Sequence, residues 1–187
     1  MALMQELNSM PKKPVRTVKS GNQEWRLDGQ LHREDGPSVV ESDGTEVWYR
    51  NGQLHRDGGP AVVEPSGTLI WYRTGVIHRD GVPAHINANG DQEWWCEGQI
   101  HRTDGPAYIG HDGTQVWCVH GVKHRLDGPA VVRANGDQEW WENGRRHRED
   151  GPAIIRADGV TSWWLDNKII IPPAYRETER HMTAMMP

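Results

Sequence analysis

The chain has 187 residues, a formal net charge of −5, ten Trp, four Tyr, no Phe, 21 Gly and 12 Pro. A hydrophobic fraction of 35% argues against a conventional multilayer core, so Trp must supply much of the buried area, each ring covering ~150–250 Å². The acidic balance argues against general nucleic-acid binding, which needs surplus Lys and Arg. Two cysteines make no disulfide framework, and without a leader or a run of ~18 apolar residues the chain reads as soluble and cytoplasmic.

In chain order, residues 1–20 come first, with Lys12, Lys13, Arg16 and Lys19 against Glu6, a charge of +3. This is a basic N-terminal arm or capping strand. Residues 168–187 carry +1, which leaves −9 for the stretch between. That stretch is periodic. His32, His55, His78, His101, His124 and His147 stand 23 residues apart, each followed by Arg. Pro37, Gly44 and Trp48 recur at the same interval through Pro152, Gly159 and Trp163, and Gly21 with Trp25 adds a leading half repeat. The array spans 21–168 with no insertion or deletion, and residues 169–187 form a C-terminal cap or tail.

Each unit reads as a β-hairpin. A β-branched run such as Val39-Val40 meets Asp43-Gly44, which suits a two-residue primed turn. A second run then ends in an aromatic pair, and the later glycine (Gly52 and its equivalents) opens the connection to the next hairpin. Pairing outward from Asp43-Gly44 sets Val40 against Val47, Val39 against Trp48 and Ser38 against Tyr49. One face then carries Ser38, Val40, Val47 and Tyr49, and the other carries the invariant Trp with Glu41, Glu46 and Arg50. The expected fold is all-β: an elongated single-sheet array of 23-residue hairpin repeats, advancing ~10 Å per repeat. The cap leaves room for a short helix around Tyr175 to Met186.

The string "EVWYRNGQLHRDGGPAVVEPSGT" resembles the MORN repeat (membrane occupation and recognition nexus) in its variant form. The resemblance rests on the 23-residue period, the aromatic before Asn-Gly, the following His and the Gly turn, and it covers residues 21 to about 168. His-Arg stands where many members have His-Gly, and Asp-Gly-Pro is added. The resemblance implies an extended hairpin array of a kind found in bacterial antitoxin or immunity-like proteins and in viral proteins, and it names no ligand.

Several patterns invite chemistry. "HRD" at residues 55–57 and 78–80 echoes a kinase catalytic loop, but Val62 and His85 stand where that loop needs Asn. The histidines, ~10 Å apart by strand spacing, are too distant to share a metal ion. No cofactor or metal site is expected, and no nucleophile and base are paired, so the chain is not read as an enzyme. The row suits a structural role, with His, Arg and Asp bonding carbonyls and adjacent repeats. Asp57 and Asp80 sit one place earlier than Asp35, Asp104, Asp127 and Asp150, so those two connections should differ locally. Cys96 and Cys118 fall on opposite faces in the expected register.

Positions that vary between repeats are the candidates for recognising a single partner: Glu41, Glu46, Tyr49, Arg50, Glu64, Tyr72, Arg73, Trp95, Glu139, Trp141 and Glu142. The alternative site is an anion-binding row of His55, Arg56, His78, Arg79, His101, Arg102, His124 and Arg125, which would take a small anion or lipid headgroup. The expected function is non-enzymatic masking of a basic partner protein, in the manner of an antitoxin, immunity protein or viral anti-defence inhibitor. Neither nucleic acid nor membrane is an expected partner. Met182, Met185 and Met186 in the tail offer a route to dimerisation.

Overall fold

The computed structural model describes residues 12–171. The expected tail helix and the tail methionines lie outside them. The chain divides into two compact units, 1–88 and 89–187. Among the described residues both units are all-β.

In the first unit the sheet runs Val15–Lys19, Asn22–Leu27, Val39–Val40, Glu46–Val47, Val62–Val63, Leu69–Ile70 and His85–Ile86, each strand antiparallel to the next. The N-terminal basic stretch is therefore a capping strand over Val15–Lys19, and all five of its residues are exposed. In the second unit the order is Gln92–Glu93, Tyr108–Ile109, Gln115–Val116, Val131–Val132, Gln138–Glu139, Ile154–Ile155, Thr161–Leu165 and Lys168–Ile170. Sequential strands are spatial neighbours throughout each unit, as a hairpin array requires.

The register differs from expectation by one residue. Val39 pairs with Val47, and Val40 pairs with Glu46. The cause lies in the turn. Gly44 N–H donates to the Glu41 carbonyl (3.0 Å), and Glu41 N–H donates to the Thr45 carbonyl (2.8 Å). Gly44 has φ +93°, whereas Asp43 stays out of the left-handed region. This is a three-residue loop, a type I turn closed by a glycine bulge, and not a two-residue primed turn. The Asp43 side chain accepts the Thr45 N–H at 2.8 Å, which is why Asp, Asn or Ser precedes the glycine.

The extra loop residue moves one strand's side chains to the opposite face. Val39, Val47, Val62 and Ile70 therefore share a face with Tyr49 and Glu41, while Ser38, Val40, Glu46, Val63 and Trp48 occupy the other.

The primed turn belongs to the second glycine instead. Asn51 and Gly52 both have positive φ (50° and 74°), and they close a tight hairpin in which Tyr49 pairs with Leu54 and Arg50 with Gln53. Equivalent hairpins join Tyr72–Arg73 to Val76–Ile77, Trp95–Cys96 to Gln99–Ile100, Cys118–Val119 to Val122–Lys123, and Trp141–Glu142 to Arg145–Arg146. Each of the first five full repeats thus gives two sheet strands and one separate two-stranded hairpin, while in the last the strand Lys168–Ile170 continues the sheet.

The chain passes from sheet to hairpin at the invariant Trp. In the first full repeat Trp48 N–H donates to the Ala61 carbonyl (2.8 Å), and the Trp48 carbonyl accepts His55 N–H (3.1 Å). The residue after each invariant Pro is the innermost point. Ser38, Ala61, Ala84, Ala107, Ala130 and Ala153 are all 0% exposed. The first-turn position of each primed hairpin accepts several residue types, at unequal cost. Thr74 sits there at φ +52°, and a β-branched residue is strained in that region. Thr74→Asn, matching Asn51 and Asn143, should raise the unfolding free energy by about 1 kcal/mol in urea titration.

Candidate functional site

The His-Arg connection is the most repeated piece of chemistry in the chain, and its guanidinium groups have a common geometry. Arg33, Arg56, Arg102, Arg125 and Arg148 lie over the rings of Trp25, Trp48, Trp94, Trp117 and Trp140, with centroid distances of 4.2, 3.8, 4.2, 4.0 and 4.1 Å. Arg79 lies 3.9 Å over Trp71. Each also donates Nη1–H to the carbonyl of the Pro four residues on, as in Arg102 to Pro106 (3.3 Å) and Arg79 to Pro83 (3.0 Å). A glycine lies close against five of these guanidinium groups. A Cβ added at Gly36, Gly59, Gly105, Gly128 or Gly151 would come within 2.7–3.1 Å of the guanidinium carbon. Val82 stands at this place in the third connection, and nothing in the structure explains that substitution.

The histidine joins one repeat to the next. Nδ1 of His32, His55, His101 and His124 accepts the backbone N–H of Asn51, Thr74, His120 and Asn143, at 3.0–3.2 Å. Those residues open the primed turn of the following repeat. With Nδ1 accepting, a neutral ring at His101 or His124 carries its proton on Nε2.

The carboxylates take two arrangements. In four connections the Arg Nε donates to the Asp two residues on, at 2.7–2.9 Å (Arg33–Asp35, Arg102–Asp104, Arg125–Asp127, Arg148–Asp150). Where the acid is one place earlier, Gly58 and Gly81 fill the vacated position with φ of +74° and +73°. Asp57 and Asp80 then turn to His55 and His78 (3.0 and 2.9 Å) and to Arg50 and Arg73. The expected local difference is present.

The charge of this edge is asymmetric. The side chains of Arg33, Arg102, Arg125 and Arg148 are only 22–23% exposed, while their Asp partners are 79–83% exposed. Glu34 and Glu149 add further carboxylates at 83% and 85%. Of the arginines in the candidate anion-binding row, Arg102 and Arg125 lie beneath the acids, and all four, Arg56 and Arg79 included, bond inward to proline carbonyls.

The variable positions scatter. Glu41, Tyr49 and Glu64 share a groove with Val47, Leu54 and Val62. Glu46 is on the opposite face beside Val40 and Val63. Arg50 borders a different groove with His55 and Asp57, Arg73 pairs with Asp80 at 3.2 Å, and Glu142 borders a groove near His147. Tyr72 pairs with Ile77. Glu139 departs from expectation: at 2% side-chain exposure it presents nothing to a partner. It accepts bonds from Arg133 Nη2 (3.1 Å) and Trp141 Nε1 (3.1 Å). Burial pushes its carboxyl up, but those bonds and the charges of Arg133 and Arg146 outweigh burial and hold it below the usual range.

Much of the variation along the array has an internal cause. Arg26, Trp95, Trp141 and Trp164 donate to Glu24, Glu93, Glu139 and Ser162, each two residues earlier, at 2.7–3.1 Å. Where Tyr49, Tyr72 and Cys118 stand in that column, the preceding partner is Val47, Ile70 or Val116. A half-buried indole or guanidinium N–H needs an acceptor, since leaving one unsatisfied costs ~1–3 kcal/mol. The two positions therefore change together. Cys118 is buried and Cys96 exposed, and both are free thiols. Burial raises the Cys118 pKa.

No group of three or more His, Cys, Asp or Glu among the described residues is arranged to hold a metal ion, and no helix among them is long and apolar enough to cross a membrane. The chain matches no protein-family model and no curated protein.

The structure fixes the direction of pH dependence. Bonds from Arg33, Arg102, Arg125 and Arg148 hold Asp35, Asp104, Asp127 and Asp150 below the ordinary aspartate value of 3.8. Arg50 and His78 do so for Asp57 and Asp80, and the His111 and Ala157 backbone N–H groups for Asp91 and Asp137. A depressed carboxylate stabilises the fold fully above its ordinary pKa, and the contribution is lost as pH falls through the folded value. The urea midpoint should therefore be flat through neutral pH and drop steeply below about pH 4. A midpoint unchanged into strong acid would contradict these pairings.

Proposed function

We propose that the protein is a non-enzymatic binding array that masks a basic surface of a partner protein. The observation that carries this reading is the acidic connection edge. In the connections of Arg33, Arg102, Arg125 and Arg148 the repeat raises carboxylates to the surface and keeps the matching cations below, stacked on Trp, whereas Asp57 and Asp80 face the half-exposed Arg50 and Arg73. Exposed charge of one sign attracts the opposite sign and speeds encounter, more strongly at low salt. An interface of ~1,200–2,000 Å² in total would block a partner by occupancy alone. The resemblance to variant MORN repeats of antitoxin, immunity-like and viral proteins agrees with masking.

The small-anion reading fits the connection less well. An incoming phosphate or lipid headgroup would meet the exposed acids before reaching Arg102 or Arg125. Groups bonded to Pro carbonyls and Asp would also have to give up those partners.

The test is affinity capture from the native lysate with the tagged protein and with a variant carrying Glu34→Gln, Asp35→Asn, Asp104→Asn, Asp127→Asn, Glu149→Gln and Asp150→Asn. The wild type should retain one basic protein in fixed proportion, and both the variant and high salt should release it. Equal capture by the folded variant, or capture insensitive to salt, would refute the acidic edge as the docking surface.

A further inference from the structure

Each primed hairpin sets one side chain of its return strand opposite the aromatic column, and in most of the array that side chain is aliphatic. Leu31, Leu54, Ile77, Ile100 and Ile169 stand opposite Arg26, Tyr49, Tyr72, Trp95 and Trp164. Lys123 opposite Cys118 and Arg146 opposite Trp141 are the exceptions. They fall in consecutive repeats, and both belong to the second unit. An aliphatic residue suffices for the same hairpin elsewhere, so its geometry does not call for a cation.

Trp141 stands between the two cations. The Lys123 carbonyl accepts the Gly144 N–H (2.9 Å) and the Arg146 carbonyl accepts the Asn167 N–H (3.0 Å), so the side chains run in the order Cys118, Lys123, Trp141, Arg146, Trp164. Lys123 Nζ lies 4.5 Å and Arg146 Cζ 4.8 Å from the Trp141 ring centroid, and Arg146 is 5.4 Å from that of Trp164. Both cations are half-buried, and neither side chain donates to an acceptor among the described residues. Arg146 Nε is buried without a partner, and Glu139 Oε2 stands 3.9 Å from it, beyond hydrogen-bond reach. The indole faces attract the charges but are weak acceptors for their N–H groups. Every carboxylate nearby is already engaged. Glu139 accepts from Arg133 and Trp141, Asp137 from Arg156 and the Ala157 N–H, and Asp158 from the Val160 N–H. Asp91, Glu93 and Asp112, on earlier strands and turns, are bonded to His111, Trp95 and Thr114. The charges of the face as a whole leave no positive sum; Lys123 and Arg146 are distinguished by lacking an acceptor.

We propose that Lys123 and Arg146 together bind a phosphate monoester across the outer edge of Trp141. A guanidinium takes two oxygens side by side, and an ammonium beside it needs a third. A phosphate monoester offers three free oxygens and a charge of about −1.5 to −2 at neutral pH. A carboxylate or a phosphodiester offers only two free oxygens and a single charge. Two cations flanking one ring also repel each other, and an anion shared between them removes that repulsion. The acidic connection edge takes no part, so this site is independent of the masking surface.

The test is an NMR titration of the ¹⁵N-labelled full chain with inorganic phosphate at constant ionic strength, following the indole and arginine side-chain N–H signals. Those of Trp141 and Arg146 should shift to saturation with a Kd of ~1–10 mM, and acetate and dimethyl phosphate should bind about tenfold more weakly. Glycerol phosphate and a phosphoserine peptide should bind as well, and the tighter of the two identifies the source as a free ester or a modified protein. Lys123→Ile with Arg146→Ile introduces the residue found at positions 77, 100 and 169. That variant should keep the circular dichroism spectrum and bind phosphate about tenfold more weakly; Lys123→Gln gives the same reading should the double variant fail to fold. Absence of any shift, equal affinity for acetate or dimethyl phosphate, or unchanged affinity in a folded variant would overturn the proposal.

Discussion

The stack of arginine on tryptophan is the constraint from which most of the repeat follows. A guanidinium held 3.8–4.2 Å over an indole gives a thin sheet what a second layer would otherwise supply, an apolar surface covered on its exposed side. The other requirements follow from its position. The chain must pass close against the guanidinium, which accounts for the glycine before proline in five connections. A proline carbonyl must face Nη1, so the chain turns there, and proline has no N–H to leave unbonded. The small residue after proline then sits at the innermost point, where Ser38 and the five alanines have no exposed surface. The local sequence Arg-x-Asp-Gly-Pro-Ala thus describes one cation and its surroundings.

The period, the hairpins and the all-β class were legible in the sequence because each rests on strongly marked residues. The face assignment was not. Asp43-Gly44 is compatible with either a two-residue primed turn or a type I turn with a glycine bulge, and these differ by one residue of register. Only the flanking bonds of Glu41 and Gly44 separate them. The primed turn was expected at the first glycine and occurs at the second, where Asn51-Gly52 gave the clearer signal. Thr74, Glu97 and His120 disguised it in other repeats, since those residues seldom adopt positive φ.

The candidate site was legible in part. Treating the His-Arg row as structural agrees with the bonds its side chains make, and the displaced acids of Asp57 and Asp80 do mark a different connection. Variation was a poorer guide. Glu139 and Trp141 differ from Val116 and Cys118 because an indole N–H needs an acceptor beside it, a relation internal to the protein. Comparing positions two residues apart along the array would have exposed that coupling. The exposed carboxylates were harder to see, because a residue present in every repeat reads as part of the framework. Asp35, Asp104, Asp127 and Asp150 serve the framework with one oxygen and still face solvent.

The account depends on the connection arginines belonging to the fold, and their side-chain Nε–H resonances in a ¹⁵N-resolved NMR spectrum test this directly. Six such signals should be displaced upfield by the indole rings, exchange slowly with water and hold their positions when inorganic phosphate is added. Rapidly exchanging Nε–H signals without ring-current displacement, moving progressively with phosphate, would show free cations awaiting an anion and would contradict it.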